Sequence, residues 1–128
     1  MAFQVVLQLN DRSCQRWCYE TCKLCYIYDD IQQLPKGFDT ILGDKGNTIS
    51  VGQKHRLGIA RGILQESQIF IIDEGTAGLD FTTEQFIKNN LKKICENRIV
   101  IIITHSSNFI VEESNVFEIK DCKIIQRR

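Results

Sequence analysis

The sequence has little of what would direct a chain into a membrane or onto nucleic acid. Its longest apolar stretches, such as residues 99–103, run about five residues, whereas a membrane-spanning helix needs roughly 20. The opening residues, MAFQVVLQL, lack the basic segment of a signal peptide. Sixteen basic residues balance sixteen acidic ones, so there is no excess positive charge to attract nucleic acid or anionic lipid. These absences favour a cytosolic chain that recognises its ligand locally.

What remains is the composition of an ordinary globular protein. Hydrophobic residues make up 43% and charged residues 25% of the 128 residues, values typical of soluble domains and unlike those of disordered chains. A chain of this length buries about two-thirds of its unfolded surface, which is enough for one core. We therefore expect a single folded unit.

Four of the six cysteines recur with a helical spacing near the N-terminus. Cys14, Cys18, Cys22 and Cys25 are separated by four, four and three positions, which is typical of one helix face. On a straight helix the outermost sulfurs lie roughly 16 Å apart, too far for one tetrahedral zinc with bonds near ~2.3 Å. The spacing favours buried thiols that act as small hydrophobes, with a metal site or a redox pair of Cys22 and Cys25 as alternatives.

The spacing of apolar residues predicts three helices, over residues 12–32, 50–65 and 82–95. Pro35 and Gly37 end the first helix, because proline lacks a backbone donor and glycine permits positive φ. Thr82 or Thr83 is expected to cap the third helix. Chain segments of this length and pattern indicate helices that pack on a common core.

Short apolar runs predict the strands. The runs at residues 69–72 and 99–103 are continuous, which favours strands buried on both faces of a parallel sheet. Residues 116–125 predict a terminal hairpin that turns at Asp121 and Cys122, where Cys122 is unfavourable if the turn requires positive φ. Strand, helix and strand in succession indicate an α/β fold.

The start of the second predicted helix is a candidate anion site. Residues 50–53, with the sequence SVGQ, open this helix, where unsatisfied backbone N–H groups and the positive end of the dipole favour a phosphate. Ser50 is equally suited to be an ordinary N-cap. The segment taken alone leaves both interpretations open.

Three polar side chains follow the two predicted parallel strands. Asp73 and Glu74 end the first strand, and His105 follows the second. Open α/β sheets bind ligands at the carboxyl ends of their strands, where an Asp can hold the Mg²⁺ of a nucleotide and a Glu can polarise water. The His can hydrogen-bond a terminal phosphate. The alternatives are a solvated acidic strand end and a structural histidine.

Together these segments resemble the ATPase domains of ABC transporters in order and spacing. The resembling motifs are LPKGFDT at 34–40, GDKG at 43–46, SVGQ at 50–53, IFIIDE at 69–74, AGLD at 77–80 and TH at 104–105. The resemblance implies an α/β fold with a partial P-loop NTPase (RecA-like) core that ends in a small β-hairpin. Residues 12–66 would form part of the helical subdomain with the signature helix, and residues 67–128 the Walker B to H-loop half. The segment before the signature is most similar to peptide, toxin and bacteriocin exporters.

The resemblance assigns roles to the three polar residues at the strand ends. Asp73 corresponds to the Walker B carboxylate near Mg²⁺, and Glu74 to the general base or water-positioning residue. His105 corresponds to the switch histidine beside the γ-phosphate. The implied ligands are ATP and Mg²⁺.

The resemblance also implies partners. Ser50, Val51, Gly52 and Gln53 correspond to the signature motif, which contacts ATP held by the opposite subunit of a head-to-tail dimer. Asp80 closes the D-loop, which crosses the dimer interface. The partners implied are therefore a second nucleotide-binding domain and the transmembrane domain of a transporter, which holds the chain at the cytoplasmic face of a membrane. No nucleic acid is implied.

The sequence departs from the family pattern inside the signature helix. Val51 stands where the first glycine of the motif is commoner. Gly58 and Gly62 lie within the helix, where each costs about 1 kcal/mol relative to alanine. We expect close packing to compensate at both glycines.

The largest departure is that no G-x-x-x-x-G-K-[ST] occurs in the sequence, so it offers no glycine-rich nest and lysine for the β- and γ-phosphates. Gln4 is a candidate for the family's Q-loop glutamine, in surroundings that fit poorly.

We interpret the chain as a truncated half of an exporter ATPase domain that hydrolyses no ATP alone. The alternative is a non-catalytic, signature-bearing module that docks onto a complete ATPase domain in trans. Soluble ABC ATPases of DNA repair or translation would show basic patches or a coiled-coil insertion, which the sequence lacks.

Overall fold

The structure is a computed structural model that describes residues 3–4, 12–42, 49–65, 67–75, 78–94, 96–106, 110 and 114–127. These residues form helices packed on a parallel strand pair, followed by an antiparallel hairpin. The predicted α/β class and the terminal hairpin are therefore confirmed. Within the described ranges, every helix is too short or too polar to cross a bilayer.

The N-terminal helical segment consists of α1 (Arg12–Leu24) and α2 (Tyr28–Gln32). The prediction of one continuous helix over residues 12–32 is wrong, because Tyr26 adopts a φ of 55° between the two helices, outside the right-handed helical region. The N–H groups of Cys25 and Ile27 donate to carbonyls of α1 at 3.1 and 3.0 Å. These bonds complete the end of α1 before the chain changes direction.

The cysteines of this segment lie in the core. Cys18, Cys22 and Cys25 are at most 3% exposed, which confirms for these three the interpretation as small buried hydrophobes. Burial raises the pKa of Cys22 to about 12, and the neighbouring thiol of Cys18 adds to the shift. Burial likewise raises the pKa of Cys25. The side chain of Cys14 and all of Cys95 lie outside the described residues.

A turn connects α2 to the next strand. It contains a 3₁₀ helix (Gly37–Asp39), and the strands beside it are β1 (Phe3–Gln4) and β2 (Ile41–Leu42), which pair antiparallel. Gly37 has a φ of 50°, as the sequence predicts. The hydroxyl of Thr40 accepts a hydrogen bond from the Lys36 N–H at 3.1 Å, which closes the turn. The motif at residues 43–46 lies outside the described part of the chain.

Helix α3 (Val51–Leu64) joins the N-terminal helices to the sheet. Its buried residues are Gly52, Leu57, Ile59, Ala60 and Ile63. All of them except Gly52 belong to one core cluster, which also contains Cys22, Cys25 and Ile72. A helix with apolar residues on adjacent faces can pack against two neighbours at once, and α3 contacts both α1 and β3.

The parallel pair consists of β3 (Ile69–Asp73) and β4 (Ile99–Ile103), with Asp73 opposite Ile103. Phe70 and Ile72 face the core at 9% and 3% exposure, whereas Ile71 on the other face is 57% exposed. The prediction of burial on both faces is wrong within the described residues, because the helices that contribute core side chains cover one face only. The uncovered face is defined by Ile69, Ile71, Ile99, Ile101 and Ile103.

Helix α4 (Phe81–Ile94) connects the two strands. Asp80 caps it, since its Oδ1 accepts from the Thr83 N–H at 3.0 Å and its Oδ2 from the Thr83 hydroxyl at 2.7 Å. Capping by Thr82 or Thr83 is therefore wrong, because the helix begins earlier than predicted. The buried residues Ile87 and Leu91 fix α4 to the core.

The chain ends in an antiparallel hairpin of β5 (Val116–Lys120) and β6 (Lys123–Arg127). Asp121 and Cys122 form its two-residue turn, with φ angles of 50° and 58°. Two successive positive values are the mark of a type I′ turn, in which glycine is favoured at the second position. Cys122 is thus the unfavourable residue that the sequence indicates.

The two glycines inside α3 have different surroundings. A Cβ added to Gly62 would lie 2.3 Å from Cε2 of Phe70, whereas a Cβ added to Gly58 would meet no described residue within 4 Å. Compensation by close packing is therefore confirmed for Gly62 and wrong for Gly58. The ring of Phe70 lies directly against the backbone of α3 at Gly62.

We predict opposite responses to alanine at these two glycines. Gly58→Ala should raise the free energy of unfolding by about 1 kcal/mol, because alanine favours the helix and has room there. Gly62→Ala should lower it by about 1–3 kcal/mol, because the methyl group displaces the buried ring of Phe70. Urea unfolding of the domain that carries this segment measures both, and changes of the same sign would contradict the packing described.

A second prediction concerns the hairpin turn. Cys122→Gly should stabilise the hairpin by about 1 kcal/mol, because the left-handed conformation is unfavourable for a residue with a Cβ. Cys122→Ala is the matched control, since it removes the thiol but keeps the Cβ. Thermal melts should separate the two variants, and equal melting temperatures would show that the positive φ is not the cause.

Candidate functional site

The carboxyl edge of the parallel pair gathers the polar residues that follow its strands. We call Asp73, Glu74 and His105 the sheet-edge group. Asp73 is the last residue of β3, and Glu74 and His105 follow β3 and β4. The Nε2 atom of His105 lies 3.3 Å from Oε1 of Glu74. The parallel register therefore brings together side chains that are distant in sequence.

Glu74 is held in an uncommon backbone conformation. Its φ is 46°, in the left-handed region that residues with a Cβ seldom adopt. Its N–H donates to the Ile103 carbonyl at 2.9 Å, which ties the turn after β3 to the end of β4. The Glu74 and His105 side chains are 56% and 92% exposed, so both groups are accessible to a ligand from solvent.

The turn that carries His105 is anchored to α4. The Ser106 N–H donates to the Thr104 hydroxyl at 2.9 Å, and the Ser106 hydroxyl donates to Glu84 Oε1 at 2.9 Å. These bonds restrict the backbone on either side of His105. Sequence analysis did not identify Ser106 and Glu84 as supports, because no local pattern relates two residues 22 positions apart.

A second group lies at the start of α3. We call residues 50–53 the signature segment. Ser50 Oγ accepts from the Gln53 N–H at 3.1 Å, while Gln53 Oε1 accepts from the Ser50 N–H at 2.8 Å, which forms a capping box. Ser50 is exposed, and its hydroxyl retains a proton with which to donate to an anion. The capping interpretation is confirmed, and it leaves the anion-binding interpretation available.

Gly52 and Val51 lie beside the segment that follows the sheet-edge group. A Cβ added to Gly52 would lie 2.9 Å from the carbonyl oxygen of Gly78. This close approach requires glycine at position 52. Val51 is 60% exposed, so a side chain in place of the commoner glycine is accommodated by projecting into solvent.

The side chain of Gln53 is held from two directions. Besides its bond to Ser50, its Nε2 donates to Asp30 Oδ1 at 2.8 Å. Arg56 Nη1 donates to the second oxygen, Oδ2, of the same carboxylate at 2.8 Å. Asp30 lies 23 positions before Gln53, and sequence analysis missed it because only the tertiary fold brings α2 to α3. Arg56 follows Gln53 by three positions, a spacing that places two residues on one helix face.

Asp80 is engaged as the cap of α4. The hydrogen bond from the Thr83 side chain, followed by that from the Thr83 N–H, lowers the pKa of Asp80. Its carboxylate is therefore ionised at neutral pH. The contact with a partner across a dimer interface that the resemblance implies for Asp80 stays a prediction.

The signature segment and the sheet-edge group remain separate. No hydrogen bond or ion pair within the described ranges joins Ser50 or Gln53 to Glu74 or His105. Gln4, the candidate Q-loop glutamine, lies in β1 opposite Ile41.

Comparison with known proteins relates the sequence of this chain to a family. The family model for the ABC transporter matches residues 6–77. The chain is 43% identical over 83 residues to the cyclolysin secretion/processing ATP-binding protein CyaB of Bordetella pertussis, covering 65% of this chain and 12% of that protein. It is 40% identical over 101 residues to the ATP-binding cassette sub-family B member 6 of Mus musculus, covering 79% of this chain and 12% of that protein.

A solved structure gives the same relationship. The chain is similar to a bacterial Atm1-family ABC exporter with ATP bound, with a TM-score of 0.64 and 33% sequence identity, over 77% of this chain and 17% of that one. The chain thus spans about an eighth of the length of the curated relatives described above. The similarity supports the partial P-loop NTPase core predicted from the motifs. Because the family match extends over more than half of the sequence and the fold agrees with it, the chain belongs to the ABC transporter family.

Proposed function

We propose that the chain is part of the ATP-binding and ATP-hydrolysing component of an ABC-type exporter. Residues 12–66 supply part of the helical subdomain, and residues 67–128 supply the Walker B to H-loop half of the core. The observation that carries the proposal is the contact between Glu74 Oε1 and His105 Nε2 at 3.3 Å, at the carboxyl edge of a parallel strand pair. Ligands of open α/β sheets bind at this edge.

The residues of the sheet-edge group fit a magnesium-bound nucleotide. Asp73 presents an exposed carboxylate at the end of β3, and carboxylate oxygens are the ligands that Mg²⁺ takes alongside phosphate oxygens. Mg²⁺, when bound, supplies charge neutralisation on the phosphates. Asp73 would hold this ion in the proposed site.

Glu74 acts on the attacking water in the proposed site, and His105 acts on an anionic oxygen. A carboxylate that immediately follows the magnesium ligand is placed to accept a proton from, or to orient, the attacking water. His105, in the tautomer with its proton on Nε2, donates to the nearby Glu74 carboxylate or to an anionic oxygen that takes its place. The left-handed turn at Glu74 and its bond to Ile103 hold the carboxylate in position. Catalysis of phosphoryl transfer consists largely of such positioning together with charge stabilisation.

The signature segment acts on a nucleotide held by a second domain. The exposed Ser50 hydroxyl and the start of α3 offer donors and a positive dipole end. Val51, Gly52 and Gln53 form the first turn beside Ser50, and Asp80 lies in the D-loop at the same interface. In this proposal the partners are a second nucleotide-binding domain and the transmembrane domain of the exporter, and the chain works at the cytoplasmic face of the membrane through that domain.

We predict that Glu74→Gln abolishes turnover while ATP still binds. The amide keeps the shape of the side chain but no longer accepts a proton, so steady-state phosphate release should fall at least about a hundredfold. The test uses a complete nucleotide-binding domain that carries this segment. Glu96→Gln, the same change at an exposed residue outside the site, should hydrolyse ATP at the wild-type rate. Normal hydrolysis by Glu74→Gln would exclude the proposed role.

A further prediction concerns the uncovered face of the sheet. Its isoleucines are 45–63% exposed, and apolar patches of this kind mark interaction surfaces. The 128-residue chain should therefore self-associate in sedimentation. It should hydrolyse no ATP alone, because its sequence offers no glycine-rich nest and lysine for the β- and γ-phosphates. Mixing it with a phosphate-loop half taken from a relative should restore both solubility and turnover.

A substitution on the uncovered face tests whether this face binds the phosphate-loop half. Ile71→Asp should block the restored turnover, because a charge at the centre of the uncovered face opposes burial, whereas Gln33→Asp adds the same charge in an exposed turn and should not. Binding of the half without any turnover would favour the non-catalytic docking module instead. A monodisperse chain that turns over ATP without a partner would overturn both interpretations.

A further inference from the structure

We infer that Asp30 is a positioning residue for the signature segment, which it orients through the amide of Gln53. This inference rests on the function proposed above. It assigns to α2, a helix outside the family's nucleotide motifs, the task of fixing the side chains that face the nucleotide of the partner domain.

Both oxygens of the Asp30 carboxylate accept hydrogen bonds from side chains of α3. Oδ1 accepts from Gln53 Nε2 at 2.8 Å and Oδ2 accepts from Arg56 Nη1 at 2.8 Å. The Asp30 and Arg56 side chains are 32% and 12% exposed, so the pair is partly removed from water. Each oxygen therefore has a donor on α3, and the bonds set the rotation of the carboxylate.

Asp30 determines which end of the Gln53 amide faces the helix cap. A glutamine amide has one accepting oxygen and one donating nitrogen, and an ionised carboxylate accepts only. With Nε2 held by Asp30, Oε1 points to the Ser50 N–H, from which it accepts at 2.8 Å. A flipped amide would set its oxygen against the carboxylate and its nitrogen against the Ser50 N–H. The charge on Asp30 thus selects the one orientation that completes the capping box.

The capping box in turn orients Ser50. Ser50 Oγ accepts from the Gln53 N–H at 3.1 Å, which leaves the hydroxyl proton as the free donor of the exposed side chain. The Ser50 backbone is fixed at the same time by its bond to Gln53 Oε1. Asp30 therefore acts on the nucleotide through Gln53 and Ser50.

Arg56 makes the arrangement rigid. Besides Asp30, its Nη1 donates to the Tyr26 carbonyl, and its guanidinium lies over the Tyr26 ring at 6.0 Å from the centroid. Tyr26 is the residue with positive φ between α1 and α2. The arginine thus ties the junction of the two N-terminal helices to α3, and it holds Asp30 at the distance that Gln53 requires.

The test is a polarity swap in a complete nucleotide-binding domain that carries this segment. Asp30→Asn removes the charge of the carboxylate, and Gln53→Glu replaces the donor that faces Asp30 by an acceptor. Each variant should raise the KM for ATP about tenfold and keep kcat within about twofold of the wild-type value. The double variant Asp30→Asn with Gln53→Glu restores a donor facing an acceptor, and its KM should return to within about threefold of the wild-type value. Asp29→Asn, the same change at the exposed neighbouring residue, should leave KM unchanged.

A second readout is independent of activity. Hydrogen exchange of the Ser50 amide, measured without nucleotide, should accelerate about tenfold in Asp30→Asn, because the Gln53 amide is then free to turn its nitrogen toward this N–H. It should keep the wild-type rate in Gln53→Glu and in the double variant, because a Glu at position 53 offers Ser50 an oxygen in either orientation. Should Asp30→Asn fail to fold, the KM of Gln53→Glu with Asp29→Asn as control still decides the matter, since this variant leaves the bond between Asp30 and Arg56 in place.

The outcomes separate this inference from the proposed function. A wild-type domain that hydrolyses no ATP would refute the function, while the exchange of the Ser50 amide would still test the orientation of Gln53. An active domain in which the Asp30→Asn and Gln53→Glu variants have the same KM for ATP as Asp29→Asn would overturn the inference. It would also be overturned by a double variant as impaired as the two single variants combined, since Asp30 would then act on stability alone.

Discussion

The N-terminal cap of α3 is the interaction on which the rest of the structure depends. The first N–H groups of a helix have no partner within the helix, and here the Ser50 hydroxyl and the Gln53 amide satisfy them reciprocally. Because α3 packs between the N-terminal helices and β3, the place where it begins sets the position of both. A cap of this kind contributes about 1 kcal/mol to stability, and here it fixes the residue at which α3 begins. Asp30, which accepts a hydrogen bond from Gln53, connects this cap to α2.

Local patterns in the sequence predicted the elements well where one principle acted alone. The strand at 99–103, the turn at Gly37 and the cap at Ser50 follow from apolar continuity, backbone permissiveness and side-chain acceptors within a few residues. The break at Tyr26 was missed, because nothing in the local spacing reveals a left-handed residue there. A tertiary contact with Arg56 accompanies the break.

The candidate site was predictable to a similar extent and for similar reasons. The contact of Glu74 with His105 follows from the rule that parallel strands end at one edge, and the structure places the two atoms 3.3 Å apart. Asp30 was not predictable, because it reaches Gln53 only through the packing of α2 on α3. The assignment of Thr82 or Thr83 as a cap was wrong for a different reason: Asp80 precedes both and is the better acceptor at the start of the helix. Asp80 is thus both the last residue of the motif at 77–80 and the N-cap of α4.

The contact between Gly62 and Phe70 constrains how this sequence can diverge. The ring occupies the volume into which a methyl group on position 62 would project, and interiors packed at the density of organic crystals have no slack to absorb it. A methyl group at 62 therefore fits without displacing the ring only after a narrower side chain has replaced it at 70. Either order of such substitutions has a cost, because the path that begins at 62 passes through a strained intermediate and the path that begins at 70 passes through one with a cavity. The residue types at position 62 in α3 and position 70 in β3 therefore depend on each other.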